Sequence, residues 1–280
     1  MDLDTYKVSV SPSNGANVIS IPSSGNSLTD ETCFADDLWY YSLPVAPTAP
    51  TLPVVCNKST VGALNSDVNN SNATNKLWLV GGEAYDNRAS YSSYIIVDRL
   101  THQGGLLSSS TSTQTTNLPT AALTRYTSGN GVMIGVTIYT ATASTIATIT
   151  ASYTNQSGTS GRTTVGTLFP KSASARLAGN FMILPLQSGD SGARSVESVT
   201  LSVATGTGTF GVCLFRPLIL LGRSSISCYD RMNFIDGSFM GGIPEVEDNA
   251  CITAIAKSDL LHGTTIASTR CNLVLYEETI

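Results

Sequence analysis

The segment Gly189-Asp190-Ser191-Gly192 is the part of the sequence whose residue types and spacing most suggest catalysis. A serine in such a turn can attack a carbonyl carbon when a nearby histidine removes its proton. The upstream histidine is His102, and a separation of 89 residues (191 − 102 = 89) is short for the two half-domains of a serine protease. Because serine, glycine and aspartate are the usual residues of turns, we interpret the segment as a loop between strands.

A histidine-dependent general base would have to be His102 or His262, because the chain contains two histidines. Asp98 lies four residues before His102, but a catalytic triad is recognised by geometry and not by sequence position. We therefore predict that the protein is not an enzyme and has no catalytic residue. Replacing both histidines with glutamine should change no activity.

The sequence lacks the ligand spacing that metal and cofactor sites need. The six cysteines include no Cys-x-x-Cys pair, and two histidines are too few to complete a zinc site with them. Carboxylates at Asp30-Glu31, Asp36-Asp37 and Glu245 to Asp248 could bind calcium, but no EF-hand pattern surrounds them and solvated loops explain them better. We predict no metal and no cofactor, and we expect the cysteines to be reduced thiols in the core, since disulfide frameworks are typical of secreted proteins. The cysteines are Cys33, Cys56, Cys213, Cys228, Cys251 and Cys271.

The composition indicates a surface with few charges. Charged residues make up 12% of the chain and hydrophobic residues 41%, and the net charge is −5. This charge argues against direct contact with nucleic acid, which needs a basic surface. Serine, threonine, asparagine and glycine replace the charges, and neutral hydroxyls can be buried between subunits without the desolvation penalty of an ion. A secreted binding module whose outward threonines reflect only β propensity is an equally good interpretation of the composition.

The chain has no run of eighteen apolar residues, and its first residues, MDLDTYKVSV, lack the basic and then apolar layout of a signal peptide. We expect a protein that is made in the cytoplasm of a host cell and does not contact membrane.

Residues 1–76 are rich in proline, serine and asparagine, and repeated prolines disfavour regular strand pairing. We predict an extended arm, which either lies over a neighbouring subunit or wraps around its own domain. Its apolar and aromatic residues would be buried at that contact. The predicted interface residues are Phe34, Trp39, Tyr40, Tyr41, Val54 and Val55.

Residues 77–222 show the pattern of an antiparallel β-sandwich, jelly-roll-like in its short strands and frequent turns. Apolar residues alternate with polar ones from Val132 to Tyr139 and from Ala147 to Tyr153, which predicts two neighbouring strands that are each buried on one face. The stretch from Phe210 to Leu221 is continuously apolar, so we expect it to be buried on both faces, with Pro217 at a bend or edge. The segment Ser128-Gly129-Asn130-Gly131 predicts a tight hairpin turn. Paired glycines at 81–82, 104–105 and 241–242 predict further turns.

Residues 223–280 predict a C-terminal extension that adds strands, at about 251–257 and 271–277, to the sandwich or to a neighbour. Amphipathic helices are nearly absent, which argues against an α/β fold.

Several segments between Asp98 and Leu221 resemble a family of tailed-bacteriophage virion structural proteins. They are DRLTHQGGL, TTNLPTAALTRYTSGNGVMIGVTIYT, TITASYTNQSGTSGRTT, LPLQSGDSGARSVESVTL and FGVCLFRPL. The resemblance implies a place in the virus particle, as a decoration or cement protein on the capsid surface, with a neck or tail position as the alternative.

The resulting hypothesis is a homo-oligomer, expected to be a trimer, whose partners are the major capsid protein or other virion proteins. Its arm and C-terminal strands would extend over adjacent subunits, and we expected the sandwich to fold without residues 2–60. The competing hypothesis is a receptor-binding or glycan-binding module of the virion, in which Tyr91, Tyr94 and Tyr126 would stack on sugar rings.

Overall fold

A computed structural model gives the structure of the protein. It describes residues 17–22, 35–37, 39, 50–63, 75–86, 92–119, 122–169, 178–221, 230–233, 244–247, 249–258 and 269–279. The regular elements of these residues are all β-strands, and all pair antiparallel, so the predicted all-β sandwich is confirmed. This part of the chain contains no apolar helix of the length that spans a bilayer.

The strands are numbered in chain order. They are β1 (Asn17–Pro22), β2 (Ala35–Asp37), β3 (Val54–Val55), β4 (Asn75–Asp86), β5 (Ser92–Leu107), β6 (Gln114–Leu118), β7 (Met133–Thr140), β8 (Ala147–Asn155), β9 (Arg162–Thr163), β10 (Thr167–Phe169), β11 (Asn180–Leu184), β12 (Ala193–Leu201), β13 (Thr209–Leu221), β14 (Asp230–Asn233), β15 (Glu245–Val246), β16 (Ile252–Ser258) and β17 (Thr269–Thr279).

Six strands pair in a continuous circle, here called the closed sheet. The order is β13, β7, β11, β2, β16 and β5, and β5 pairs again with β13. The interior contains Val97, Phe181, Cys213, Phe215 and Ile255, which pack together as one buried cluster. β3 and β16 lie end to end along the same edge of β5. β16 pairs with residues 92–98 of β5, and β3 pairs with residues 101–102.

β13 contains the most apolar segment of the sequence, and its first half lies between two cores. Cys213 and Phe215 face the interior of the closed sheet, whereas Phe210, Val212 and Leu214 belong to a second core on the other side. The prediction of burial on both faces is confirmed for Phe210 to Phe215, whereas Arg216 to Leu218 are half-buried and Leu220 is 46% exposed. The pairing between β13 and β5 shifts register after Pro217, which cannot donate a backbone hydrogen bond.

The second layer is called the small sheet. Its strands are β10, β8, β12 and β6 in that order, and β9 also pairs with β8. Residues of β8 alternate strictly between buried and half-buried, as the sequence predicted. Ala147, Ile149, Ala151 and Tyr153 face the closed sheet, where they form the main core with alternate residues of β7. The two layers make the sandwich.

Two local predictions are corrected by the pairing. β7 and β8 were predicted to be neighbours, but β7 belongs to the closed sheet and β8 to the small sheet, so residues 141–146 cross between layers. The glycine pairs at 81–82 and 104–105 were predicted as turns, but β4 and β5 run through them. Gly105 has a φ of 75° and lies where the pairing of β5 with β13 shifts register, which indicates a bulge.

The predicted turn at residues 128–131 does form, with φ angles of 73° at Gly129 and 65° at Gly131. It leads into β7 and is joined to Gly192 through a bridge at Asn130, so it does not connect two paired strands. The third glycine pair, 241–242, lies outside the described residues.

The predicted arm and C-terminal extension both contribute strands to this fold. A third sheet, called the terminal sheet, has the order β1, β17, β4 and β14, and β15 also pairs with β4. β2, from the arm, and β16, from the extension, are members of the closed sheet and pair with each other. Removal of residues 2–60 would therefore open the closed sheet, which corrects the expectation that the sandwich folds without them.

We expect Gly135→Ala in β7 to lower the free energy of unfolding by about 1–3 kcal/mol, as overpacking of a core does. An added Cβ would collide with the ring of Phe181 and touch the sulfur of Cys213 inside the closed sheet. Denaturant unfolding measures the change. Combining it with Phe181→Leu should restore part of the loss by making space, and wild-type stability in the single variant would contradict this packing.

Candidate functional site

The interior of the closed sheet contains an ion pair between Asp37 of β2 and Arg99 of β5. Arg99 Nη2 lies 2.5 Å from Asp37 Oδ2, and the two side chains are 1% and 0% exposed. The hydroxyl of Thr137 in β7 donates to the same Asp37 oxygen at 2.7 Å, and the backbone N–H of Trp39 donates to the other oxygen at 3.2 Å. Burial opposes the charge on Arg99, but the Asp37 carboxylate holds the pKa of Arg99 above its ordinary value.

His102 lies next to this pair and is also completely buried. Arg99 Nη1 lies 2.8 Å from His102 Nδ1, and because a guanidinium only donates, Nδ1 must accept. The imidazole ring lies 4.6 Å from the ring of Trp39 and 5.6 Å from that of Tyr139, between centroids. Burial, and then the charge of Arg99, place the pKa of His102 well below its ordinary value. His102 is therefore neutral, and Arg99 occupies the lone pair that a general base would use.

The Gly189 to Gly192 segment has a different set of partners. Ser191 Oγ donates to Asn130 Oδ1 at 2.7 Å, so the two loops that the sequence singled out bind each other. Asp190 accepts hydrogen bonds from Arg162 at 2.9 Å and from the hydroxyl of Tyr153 at 2.5 Å. These bonds, that of Arg162 first, lower the pKa of Asp190 to about 2. Within the described part of the chain, Ser191 and His102 share no hydrogen bond, and the segment acts as a loop anchor.

A second buried ion pair, called the Asp98–Arg125 clamp, lies beside β5. Arg125 donates to both carboxylate oxygens of Asp98 at 2.8 Å. It also donates to the carbonyl oxygens of Cys56 at 3.0 Å and Arg99 at 3.2 Å, while the backbone N–H of Cys251 donates to Asp98 at 2.8 Å. Burial raises the pKa of Asp98 despite the opposing effect of Arg125. The clamp thus joins β5 to the end of β3, the start of β16 and the loop that carries Arg125.

The outer side of the small sheet carries hydroxyl groups in cross-strand pairs. Ser195 pairs with Thr154, Ser198 with Ser152 and Thr200 with Thr150. These six residues are half-buried and are called the hydroxyl face. β8 contains no charged residue, and the carboxylate Oε1 of Glu197 in β12 accepts hydrogen bonds from Thr154 at 2.7 Å and Ser195 at 2.6 Å.

Apolar side chains are exposed at the end of the small sheet where β8 begins. They are Ile146, Val165, Leu168 and Val203, each between 44% and 54% exposed. Leu168 lies on β10, an edge strand of this sheet, and pairs with Thr148 of β8. The hydroxyl face thus continues into an apolar rim, a distribution typical of surfaces that contact other proteins.

The predicted interface residues lie in different environments. Trp39 is buried within this chain, where its indole N–H donates to the Val61 carbonyl at 2.9 Å and its ring lies 4.7 Å from the guanidinium carbon of Arg99. For Trp39 the structure matches the alternative in which the arm wraps its own domain. Val54 and Val55 are exposed on β3. Phe34, Tyr40 and Tyr41 lie outside the described residues.

The tyrosines proposed to stack on sugars do not form an exposed platform. Tyr94 is completely buried, and Tyr126 is half-buried under the guanidinium of Arg216 at 5.5 Å. Tyr91 lies outside the described residues. Two of the three therefore present little aromatic surface to a glycan.

Sequence reasoning missed the buried ion pairs. Asp37 was interpreted as a carboxylate in a solvated loop, whereas it lies in β2 inside the closed sheet. A signal did exist, since Asp98-Arg99 interrupts the otherwise apolar stretch YIIVDRL in the middle of β5. Adjacent opposite charges in such a strand indicate partners on both sides of the sheet. Cys56, Cys213 and Cys251 are buried in the core and are recorded as free thiols.

No protein-family model matches the chain, and no curated protein matches it. A chain from the structure of infectious bursal disease virus, Gt strain, is similar over 94% of this chain and 79% of that chain, at 9% sequence identity and a TM-score of 0.21. A TM-score this low does not demonstrate a shared fold.

Replacing Arg99 with methionine should lower the free energy of unfolding by about 3–5 kcal/mol, because Asp37 would then be a buried charge without a partner. The double change Arg99→Met with Asp37→Leu should be less damaging than the single one, measured by urea unfolding. As a matched control, Arg162→Met should lose less stability, since Arg162 is 26% exposed in its pair with Asp190. Additive effects in the double variant would contradict the coupling.

We expect the stability of the protein to fall as the pH drops below about 6.5. The unfolded chain binds a proton on His102 near its ordinary pKa of about 6.5, but the folded chain, with a lowered pKa, does not. Stability is therefore fully present above that pH and decreases below it, by up to about 1.4 kcal/mol per pH unit. Urea unfolding from pH 7.5 to 5.0 measures the slope. The variant His102→Gln should show a smaller slope. The difference between the wild-type and variant curves of unfolding free energy against pH removes the contributions of the other titrating groups, His262 included.

Proposed function

We propose that the protein is a structural, non-enzymatic component of a virus particle, and specifically a decoration or cement protein on the capsid of a tailed bacteriophage. The particle and its type come from the sequence resemblance between Asp98 and Leu221. The hydroxyl face is the structural observation that carries the proposal, because a flat sheet surface with few ions is suited to close contact with another polypeptide.

The physical argument concerns desolvation. A hydroxyl group that enters a contact loses one or two hydrogen bonds to water and can regain them from a facing hydroxyl or backbone group. An ion loses far more unless an opposite charge meets it. One hydroxyl of the face already has a partner within the chain, since Thr200 donates a hydrogen bond to the hydroxyl of Thr113, which precedes β6, at 3.2 Å.

Glu197 gives the surface a point of specificity. Its Oε1 is occupied by Thr154 and Ser195, whereas its Oε2 is buried and has no hydrogen-bond partner among the described residues. A rotation of the Glu197 side chain would expose this oxygen to a donor from a neighbouring polypeptide. Such a contact would set the orientation of the neighbour, because one charged acceptor lies among neutral groups.

The strength of attachment would come from area and from repetition. A standard interface buries about 800 Å² on each partner, and the apolar rim at Ile146, Val165, Leu168 and Val203 supplies the part that gains most from leaving water. On a capsid the same contact recurs many times, so a modest affinity at each site is sufficient. In this proposal the protein is a trimer and its partner is the major capsid protein.

Placing arginine on the hydroxyl face tests the proposal. The double variant Thr150→Arg with Thr200→Arg should fold normally, since both side chains point outward, but should bind particles at least about 10-fold more weakly because two charges would be desolvated. Co-sedimentation with particles measures the binding, and circular dichroism checks the fold. The matched control is Ser160→Arg, at an exposed position in the loop after β8.

Cryo-electron microscopy of particles with and without the protein provides the second measurement. Stoichiometric density on the capsid that disappears with the protein is the expected result. Density at the neck or tail would keep the virion role and overturn the decoration role, and unaltered binding by the double variant would exclude the hydroxyl face as the contact.

A further inference from the structure

Cys56 and Cys251 are 195 residues apart in the chain (251 − 56 = 195) but occupy successive positions along one edge of β5. The N–H of Cys56 donates to the Leu100 carbonyl at 2.9 Å, and the N–H of Arg99 donates to the Cys251 carbonyl at 2.9 Å. β3 ends just before Cys56 and β16 begins just after Cys251, so the two cysteines face each other across the junction of two collinear strands.

Their side chains belong to one buried cluster. Both residues are completely buried and pack together with Ala63. Successive side chains of a regular strand point to opposite faces, but the pairing of β5 with β13 shifts register between Arg99 and Thr101, beside both cysteines. The common buried cluster places the two side chains on the same side, which is the arrangement that a disulfide requires.

The surroundings make the two sulfurs unequal. The hydrogen bond from Cys251, with the charges of Arg99 and Arg125, lowers the pKa of Cys56 against the effect of burial. The same hydrogen bond and burial raise the pKa of Cys251. Cys213, inside the closed sheet, has its pKa raised to about 12, chiefly by burial. Because the thiolate is the reactive form, Cys56 is the nucleophile of the pair and Cys213 is a matched unreactive thiol.

We propose that Cys56 and Cys251 are an oxidation site, at which a peroxide converts the thiol pair into a disulfide that joins the end of β3 to the start of β16. The Cys56 thiolate attacks one oxygen of hydrogen peroxide, which forms a sulfenic acid and releases hydroxide that becomes water. The Cys251 sulfur then attacks the sulfenic sulfur, and its proton leaves with the hydroxyl as a second water. Two thiols and one peroxide give one disulfide and two waters.

The position of β3 determines both how an oxidant reaches the two thiols and what the disulfide would do to the fold. This strand has two residues, and Val54 and Val55 on it are exposed, so a small oxidant reaches the thiols by local opening of this edge. The disulfide then closes a loop of 195 residues beside the Asp98–Arg125 clamp. It would resist the separation of an N-terminal segment and a C-terminal strand that are otherwise joined to β5 by hydrogen bonds and apolar packing.

The test uses the full chain with hydrogen peroxide as the oxidant. After treatment, alkylation and proteolysis, mass spectrometry should find a peptide that links Cys56 to Cys251 and has lost two hydrogens. The melting temperature should rise relative to protein kept in dithiothreitol. Cys56→Ser and Cys251→Ser should abolish both effects, whereas Cys213→Ser should retain the linked peptide.

Two outcomes would overturn the proposal. One is a wild-type protein in which Cys56 and Cys251 remain as free to alkylate after peroxide as before it, under conditions that oxidise a model dithiol. The other is a disulfide from Cys56 to a different cysteine. Because peptide mapping is done on the wild-type chain, the result stands even if a serine variant fails to fold. The proposal is independent of any role in a virus particle.

Discussion

The ion pair between Asp37 and Arg99 is the interaction on which the closed sheet depends. Two opposite charges in a buried interior are tolerable only together, and hydrogen bonds to their remaining polar atoms lower the cost of burying them further. Thr137 and the backbone of Trp39 supply those partners to Asp37. β2 is short and pairs with β11 on one side and β16 on the other. The carboxylate of Asp37 in β2 also links this part of the closed sheet to β5 through its ion pair with Arg99. Burial, and then the charge of Arg99, keep His102 neutral by lowering its pKa, and the ring of Trp39 packs against the same guanidinium.

Four of the described charged residues of this fold lie in the interior, where charges are rarely found. A chain with few ionised residues places Asp37, Asp98, Arg99 and Arg125 inside, while β8, which forms the centre of the hydroxyl face, has none. Buried ion pairs contribute little net stability compared with apolar residues, but they strongly penalise any arrangement that separates them. They therefore specify which strands meet. The neutral outer surface has the complementary property, because it can enter a contact without having to desolvate ions.

Segments from both ends of the chain meet at one edge of β5. Val55 and Ile252 pair with neighbouring parts of this strand, and the Asp98–Arg125 clamp binds the backbone of both Cys56 and Cys251. Residues that the sequence analysis had assigned to an arm and to an extension are thus held in the same place as the sandwich. A covalent bond between the thiols of this junction would join the two segments directly, where hydrogen bonds and apolar packing hold them now.

The sequence by itself determined the local features. Period-two alternation identified β8 and its buried face, and the continuous apolar stretch from Phe210 identified a strand that is buried on both sides as far as Phe215, because each pattern depends only on neighbouring residues and the geometry of one strand. Only the tertiary structure decided that β7 and β8 belong to different layers, that β2 closes a circle, and that Asp37 meets Arg99 across a separation of 62 positions (99 − 37 = 62). Such pairings are non-local, and local propensity does not encode them, since their free energy arises from desolvation and packing that exist only once the distant strands have come together.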